Sequence, residues 1–519
     1  MLYRPKDELM WDTWLIASDG MYFLYYIRIT PGRQPAGPLP SFGVAWDGIS
    51  CARSRDLLRW EELGPVLEKS DAAAWLGTGM IHRADDTFVM NFSEERPVGH
   101  QVVCFATSQD LVHWKRLPEE YDLRPDPSYY QTDPAETADP LPRWDSIGVV
   151  PPSGERSDYL GFITANARDT LPGQCGTLGL LRSPDGLRWQ QLPPAVEPGF
   201  FPSYEVPAYV RFGPRHYVLF SSNSLLGPRF DPLARGPHSG IYYVVADNEV
   251  GPYVRPPADS LLLGQRDTTN LFGTYVGRTI DLEGEGDRKL FYHHWTARFP
   301  DAWWGPPKLL VERRPYELGL AYWPGVERLK DRALAEGIPP DALEPLQATG
   351  NVPVIDWSVE SGSVRTVNQG GAHGVAWHVP PGQPSESFTH LTDGRVFEAD
   401  IRIIRGRGLG VWMGHIDDES STVVVLNAET ENLEIGSVSF QPNGASLVFE
   451  PRQYHRWPIA RGVHHALRIL ARRSFLEVYL DDQLVHAYVT PHQLDPNRLG
   501  FYAELATGDF LRPRLWSMG

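Results

Sequence analysis

The sequence predicts an all-β protein, a five-bladed β-propeller followed by a C-terminal β-sandwich. Gly (48) and Pro (47) are abundant among 519 residues, which disfavours long helices and favours short strands joined by turns. A Ser-x-Asp-x-x-x-Trp segment recurs three times at blade-like spacing. Short runs of alternating polar and apolar residues cover most of the chain. A chain of this length also exceeds one ordinary core, so two or more domains are expected.

The elements follow in order. Within 1–317, the strands MYFLYYI, TFVMNFS and DYLGFIT each precede one copy of the repeat. The copies fall at Ser54, Asp56 and Trp60, at Ser108, Asp110 and Trp114, and at Ser183, Asp185 and Trp189. Each copy reads as a turn capped by Asp with a packed Trp, a scaffold feature. Two less regular units follow, from Tyr204 (EVPAYVRF, RHYVLFSS, GIYYVVADN) and from Gly273 (TYVGRTIDL, KLFYHHW, PPKLLVERR), bringing the blades to five. Residues 318–352 hold the one helix-like stretch, VERLKDRALAEG and PPDALEPL, expected as short helices in a linker. Alternation returns over 353–519 in RVFEADIRII, GLGVWMGHI, STVVVLNA, HALRILARR, FLEVYLDD and QLVHAYVT, at the turn spacing of a sandwich.

Composition narrows the function. A formal charge of -17 argues against nucleic acid as a partner, because phosphate contacts need clustered Lys and Arg. No apolar run reaches the roughly 18 residues of a membrane helix. Cys51, Cys104 and Cys175 lie far apart with no CxxC pair, so neither a disulfide framework nor a zinc site is expected, and a reducing compartment fits. The start, MLYRPKDELMWDTW, lacks a charged segment followed by an apolar one, and a cytoplasmic location is expected. The 17 Trp and 22 Tyr suit β cores, and such rings also stack on sugars.

Candidate chemistry lies where innermost strands converge on a propeller channel. Asp12 stands between Trp11 and Trp14 at the first strand, Asp145 follows Trp144 in the third unit, and Glu205 follows Tyr204 in the fourth. A buried carboxylate is unfavourable unless paired or used. Units two and five open with Trp75, Thr78 and Gly79 and with Gly273 and Tyr275, without an acid. Two carboxyl groups flanking one bond are what glycosidic cleavage requires.

These residues carry a resemblance to the β-fructofuranosidase superfamily, glycoside hydrolase families 32 and 68 with the related family 43. Family 32 opens with W-M-N-D-P-N-G after a short R-P segment. Here Arg4 and Pro5 precede Leu9, Met10, Trp11 and Asp12, with Asp19, Gly20 and Tyr22 downstream. Trp11 and Thr13 depart from that motif towards the W-D-[ST]-W opening of family 68. The R-D-P motif corresponds best to Trp144, Asp145 and Ser146, with Asp133-Pro134 and Asp139-Pro140 as rivals. The E-C-P motif resembles Glu205, Val206 and Pro207. In the C-terminal domain, LRILARRSFLEVY from Leu467 resembles the L-R-[IV]-L-V-D-x-S-x-[IV]-E-V-F segment of family 32.

The resemblance implies a glycosidase acting on a small carbohydrate, with Asp12 as nucleophile, Glu205 as general acid/base and Asp145 as transition-state stabiliser. A carboxyl separation of about 5 to 5.5 Å would mean retention, and about 6.5 to 9.5 Å inversion. Trp11, Trp14, Trp75, Trp144, Tyr204 and the Trp303-Trp304 pair are candidates either to stack on the sugar or to close the channel. His294, beside His293, is a substrate-side candidate; family 43 often places a cation-binding histidine nearby. Neither a metal nor a cofactor is expected. The favoured substrate is a sucrose-like sugar or fructo-oligosaccharide. The alternatives are an arabinofuranosidase-like hydrolase, a fructosyltransferase, and a propeller that binds glycans without cleaving them.

Overall fold

The computed structural model describes residues 3–32, 37–38, 40–41, 43–44, 46–136, 142–154, 156–171, 173–222, 239–265, 272–282, 288–346, 355–368, 371–378, 394–416, 420–440 and 447–518. Among the described residues every element is a strand except three short 3-10 turns, and no helix is long and apolar enough to cross a membrane. The chain forms two compact units, one built on Leu2–Gly264 with Thr268–Gly319 and the other on Leu320–Gly519.

The first unit is a propeller-like set of four-stranded antiparallel sheets, each in simple sequential order. Sheet one holds β1 (Leu9–Ser18), β2 (Met21–Ile29), β3 (Gly48–Ser54) and β4 (Glu61–Glu68). Sheet two holds β5 (Leu76–Ala84), β6 (Thr87–Glu95), β7 (Gln101–Ser108) and β8 (Lys115–Arg116). Sheet three holds β9 (Trp144–Val150), β10 (Tyr159–Asn166), β11 (Gly176–Ser183) and β12 (Gln190–Leu192). Sheet four holds β13 (Glu205–Phe212), β14 (Arg215–Ser222), β15 (Ser239–Ala246) and β16 (Leu261–Gln265). Beyond them β18 (Lys289–Arg298) pairs with β17 (Thr274–Asp281), β19 (Asp301–Trp304) and β20 (Lys308–Arg314). The first strands neighbour one another in turn, β1 to β5 to β9 to β13 to β17 and back to β1.

Separate cores sit between consecutive sheets. Trp14, Tyr25 and Ile49 pack with Met90 and Val102; Val89 and Phe105 with Trp144 and Ile163; Phe162 and Leu178 with Val218 and Phe220. The recurrent segment is a turn at all three places. Ser Oγ accepts the third residue's N–H (Leu57 2.9 Å, Leu111 2.9 Å, Gly186 2.8 Å). One Asp carboxylate oxygen accepts the next two N–H groups, from Leu58 and Arg59, Val112 and His113, Leu187 and Arg188, at 2.8–3.0 Å. Leu57, Leu111 and Gly186 all have φ between 64° and 73°. Only the third copy uses glycine there, so the cap imposes a left-handed conformation that leucine otherwise avoids.

The second unit is a large antiparallel sheet assembly. Gly394–His415 is one 22-residue strand, where the alternation suggested two; Gly406, at φ 95°, lets the chain bend without a break. Phe397, Ala399, Ile401, Val411 and Met413 face one core, and Trp412 with Val423 and Val425 faces another. Among the described residues of 318–352 the expected helices are not formed. Pro324–Leu329 is a single 3-10 turn. Lys330–Glu336 pairs with Leu494–Met518, and Leu343–Pro345 pairs with Ala372–Trp377. A neighbouring strand edge here outweighs local helix propensity.

Candidate active site

Each first strand of the first unit is interrupted by a β-bulge near its start. In β1 the extra residue is Asp12 itself, between the pairs Trp11–Ile27 and Thr13–Tyr26. In β9 it is Ser146, next to Asp145. In β5, β13 and β17 two residues face one, after Leu76, Glu205 and Tyr275. Ser146, Val206 and Val276 accordingly have φ of 33°, 55° and 54°. A bulge re-aims a side chain and frees a backbone N–H. Here the freed groups find partners on the second strand of a neighbouring sheet. Ile147 N–H donates to Asn91 Oδ1 (2.8 Å), Val206 N–H to Thr164 Oγ1 (3.2 Å) and Val276 N–H to Ser221 Oγ (2.9 Å). Thr164 also donates to the Tyr204 carbonyl (2.8 Å), so one hydroxyl holds the peptide groups on both sides of Glu205.

The bulges bring three acids from three sheets into one electrostatic cluster. Arg143 Nη2 lies 3.1 Å from Asp145 Oδ2 and 3.0 Å from Glu205 Oε1. Ser93 Oγ donates to Asp145 Oδ1 and the Tyr275 hydroxyl donates to Glu205 Oε2. Arg278, buried, donates to the Gly79 carbonyl (2.7 Å) and to Thr78 Oγ1 (3.4 Å). Asp12 and Asp145 are 8% and 7% exposed, so both are largely dehydrated. Asp12 Oδ1 has no hydrogen-bond partner among the described residues.

The electrostatics follow from this packing. Burial, then the like charges of Asp145 and Glu205, push the Asp12 carboxyl up to about 8, with Arg278 and Arg143 offsetting part. Burial also raises Asp145, against the opposing pull of Arg143 and Ser93. Burial and the adjacent Glu205 hold Tyr275 well above the usual phenol range, so it remains a donor. Three carboxylates against two guanidiniums favour retention of one proton, and in the free site Asp12 keeps it. Burial is the first cause, and no donor among the described residues reaches Asp12 Oδ1 to offset it.

Asp12, Asp145 and Glu205 thus converge. Of the rivals to Asp145, Asp133 accepts from the nearby Ala135 N–H (2.9 Å), and Asp139 lies outside the described residues. The aromatic candidates divide. Trp14 stacks on Tyr25, the Trp144 indole donates to the Leu123 carbonyl, Tyr204 packs on Phe201 and Phe220, and the Trp304 indole donates to the Leu57 carbonyl. All four are fully buried, and none presents a face to a sugar; they close the channel walls. Trp75 is buried against Trp46. Trp11 is buried against His294 (4.6 Å between ring centres) and Phe299 (4.7 Å). Trp303 carries the Arg4 guanidinium over its ring.

His294 is fully buried and held neutral by burial, at about 3. His293 Nδ1 lies 3.0 Å from the His294 carbonyl oxygen. Among the described residues no group of three His, Cys, Asp or Glu could hold a metal ion.

Arg143, Tyr275, Arg278, Ser93 and Thr78 were not among the sequence candidates. Arg143 stands two residues before Asp145, hence on the same face of an extended chain. Tyr275 directly precedes the bulge of the fifth first strand, the place that Glu205 holds in the fourth.

No protein-family model and no curated protein matches this chain. Solved structures do match. A glycoside hydrolase family 32 β-fructofuranosidase from Bombyx mori superposes with a TM-score of 0.63 at 12% identity, covering 99% of this chain and 94% of that one. Fructan 1-exohydrolase IIa from Cichorium intybus gives 0.64 at 12% identity, covering 100% and 96%. Exo-inulinase from Aspergillus awamori gives 0.63 at 14% identity, covering 100% and 97%. The chain has the fold of these family 32 structures over nearly its whole length.

Proposed function

We propose that the chain is a glycoside hydrolase that cleaves fructosyl-type furanosidic bonds of sucrose-like sugars or fructo-oligosaccharides. The carrying observation is the meeting of Asp12, Asp145 and Glu205, from three different sheets, around Arg143, Arg278 and Tyr275. The fold shared with a β-fructofuranosidase, a fructan exohydrolase and an exo-inulinase favours fructose as the transferred sugar. We read the first unit as a five-bladed propeller with β17–β20 as its fifth blade, supported by the return of β17 to β1. The second unit reads as a β-sandwich, supported by its two cores.

In this reading Asp12 attacks the anomeric carbon while Glu205 gives its proton to the leaving oxygen. The resulting fructosyl-enzyme ester is hydrolysed by water that returns a proton to Glu205, a retaining course. Asp145, steadied by Ser93 and Arg143, accepts hydrogen bonds from ring hydroxyls that strengthen as positive charge develops. Sugar hydroxyls that donate to the Asp12 carboxylate favour its ionised form in the complex. Tyr275 and Arg143 hold Glu205 by its two oxygens.

The test is a substrate screen of sucrose, inulin-type oligosaccharides and aryl furanosides with wild type beside Asp12→Asn. Fructose release by wild type alone supports the reading. Arabinose release selects an arabinofuranosidase, and oligosaccharide growth at high sugar selects transfer. Binding without turnover removes the hydrolase.

A further inference from the structure

The segment that carries Asp145 is held to a large extent by side chains. β9 is the edge strand of sheet three, so one side of its backbone has no strand to pair with in that sheet. Three buried carboxamides serve residues 143–147. The Arg143 N–H donates to Asn166 Oδ1 (2.5 Å) and the Trp144 N–H to Gln101 Oε1 (2.9 Å). Asn91 meets both groups of Ile147, accepting its N–H (2.8 Å) and donating to its carbonyl (3.1 Å). The matching N–H groups after Glu205 and Tyr275 are met by hydroxyls, of Thr164 and Ser221. A hydroxyl has one proton to give, whereas a carboxamide has an acceptor at one end and two donors at the other.

Gln101 also reaches the carboxylate. It opens β7 and is buried. With Oε1 on the Trp144 N–H, its Nε2 has no hydrogen-bond partner among the described residues, yet its dipole lies close enough to Asp145 to favour the ionised form. Burying unmet amide donors is unfavourable, and a negative charge beside them lessens that cost.

We propose that Gln101 is a positioning residue for Asp145: one end of its carboxamide fixes the Trp144 peptide group and the other faces the carboxylate, which is thereby held in one orientation before substrate arrives. This deepens the fructosidase reading and rests on it for the part Asp145 plays.

The test is the pH profile of kcat/KM for fructose release from sucrose by wild type, Gln101→Met and Gln101→Glu, beside a thermal melt of each. Around Asp145 stand the charges of Asp12, Glu205, Arg143 and Arg278 and the Ser93 hydroxyl, and the variants keep all of them. Gln101→Met keeps the length and loses both polar ends. Its kcat/KM should fall about tenfold, with the acid limb moved up by about half a pH unit, because the acids lose a donor dipole. Gln101→Glu keeps an acceptor for Trp144 but sets a second carboxyl beside Asp145, and the shared proton should move the limb up by about one unit or more. A residue that only supports the fold would lower activity alike at every pH and leave the limb in place. An unmoved limb in both variants therefore overturns the positioning role, as does loss of a cooperative melt in both. A wild type that leaves sucrose intact overturns the fructosidase reading, and the positioning role falls with it.

Discussion

Asp12 concentrates the opposing demands on the site at a single residue. Its folded value of about 8 stands above an ordinary 3.8, so the folded protein holds a proton that the unfolded chain releases. Below pH 3.8 both states are protonated and the residue costs nothing. Between 3.8 and 8 stability falls as pH rises, and above 8 the full penalty, at most about 6 kcal/mol, is present. Asp12→Asn is therefore expected to raise the thermal midpoint by several degrees at pH 8 and hardly at pH 4, while abolishing turnover. Calorimetry at the two pH values checks this, and equal shifts at both would contradict it. Because substrate supplies donors to Asp12, the acid limb of kcat should lie at lower pH than that of kcat/KM, which reports the free protein. Tyr275→Phe removes one of the two supports of Glu205 and is expected to lower kcat/KM about tenfold, a loss of the order of one charge-assisted hydrogen bond. The acids themselves were legible in the sequence because each stood at the start of a different repeat unit. Arg143 and Tyr275 were not, since neither is a carboxylate and their role appears only where the chain brings them beside one.

Among the elements, the bulged first strands do the positioning, and they were invisible in the pattern. A single extra residue in a strand leaves no trace in composition, and Ser146, Val206 and Val276 are not the glycines that usually announce positive φ. Their conformations are held instead from neighbouring strands by Asn91, Thr164 and Ser221. Thr164→Val keeps the shape but orphans the Val206 N–H and releases the Tyr204 carbonyl. It should destabilise the fold by about 1–3 kcal/mol and reduce kcat more than it raises KM, while Thr164→Ser restores both. Denaturant melts beside steady-state kinetics read the two effects together. The Ser-x-Asp-x-x-x-Trp turns were legible in full, because their chemistry is local: Ser and Asp serve backbone groups within three residues. Asp56→Ala should cost about 1 kcal/mol of stability and leave kcat unchanged, since the turn touches none of the acids. The helices expected around Val326–Glu336 failed for the opposite reason. Their fate as strands depends on Leu494–Met518, more than a hundred residues away.

On the scale of the molecule, the all-β composition was readable from periodicity, and the chain divides near residue 319. The aromatic wealth proved mostly structural: Trp14, Trp144, Tyr204 and Trp304 fill the walls between sheets, where large rings bury the most area. Hydrophobic closure and sugar stacking use the same residues, so sequence alone could not separate them. The joining of distant acids is a property of the whole arrangement, and it has a kinetic signature. Groups acting as one unit lose activity non-additively, whereas independent groups multiply their effects. The most direct measurement is kcat for fructose release from sucrose by wild type, Asp12→Asn, Glu205→Gln and the double variant. The expected result is a loss of at least roughly a hundredfold in each single variant, a little under 3 kcal/mol, with the double variant no worse than about the poorer single. Near-normal turnover in either single variant, or losses that multiply in the double, would contradict a shared site.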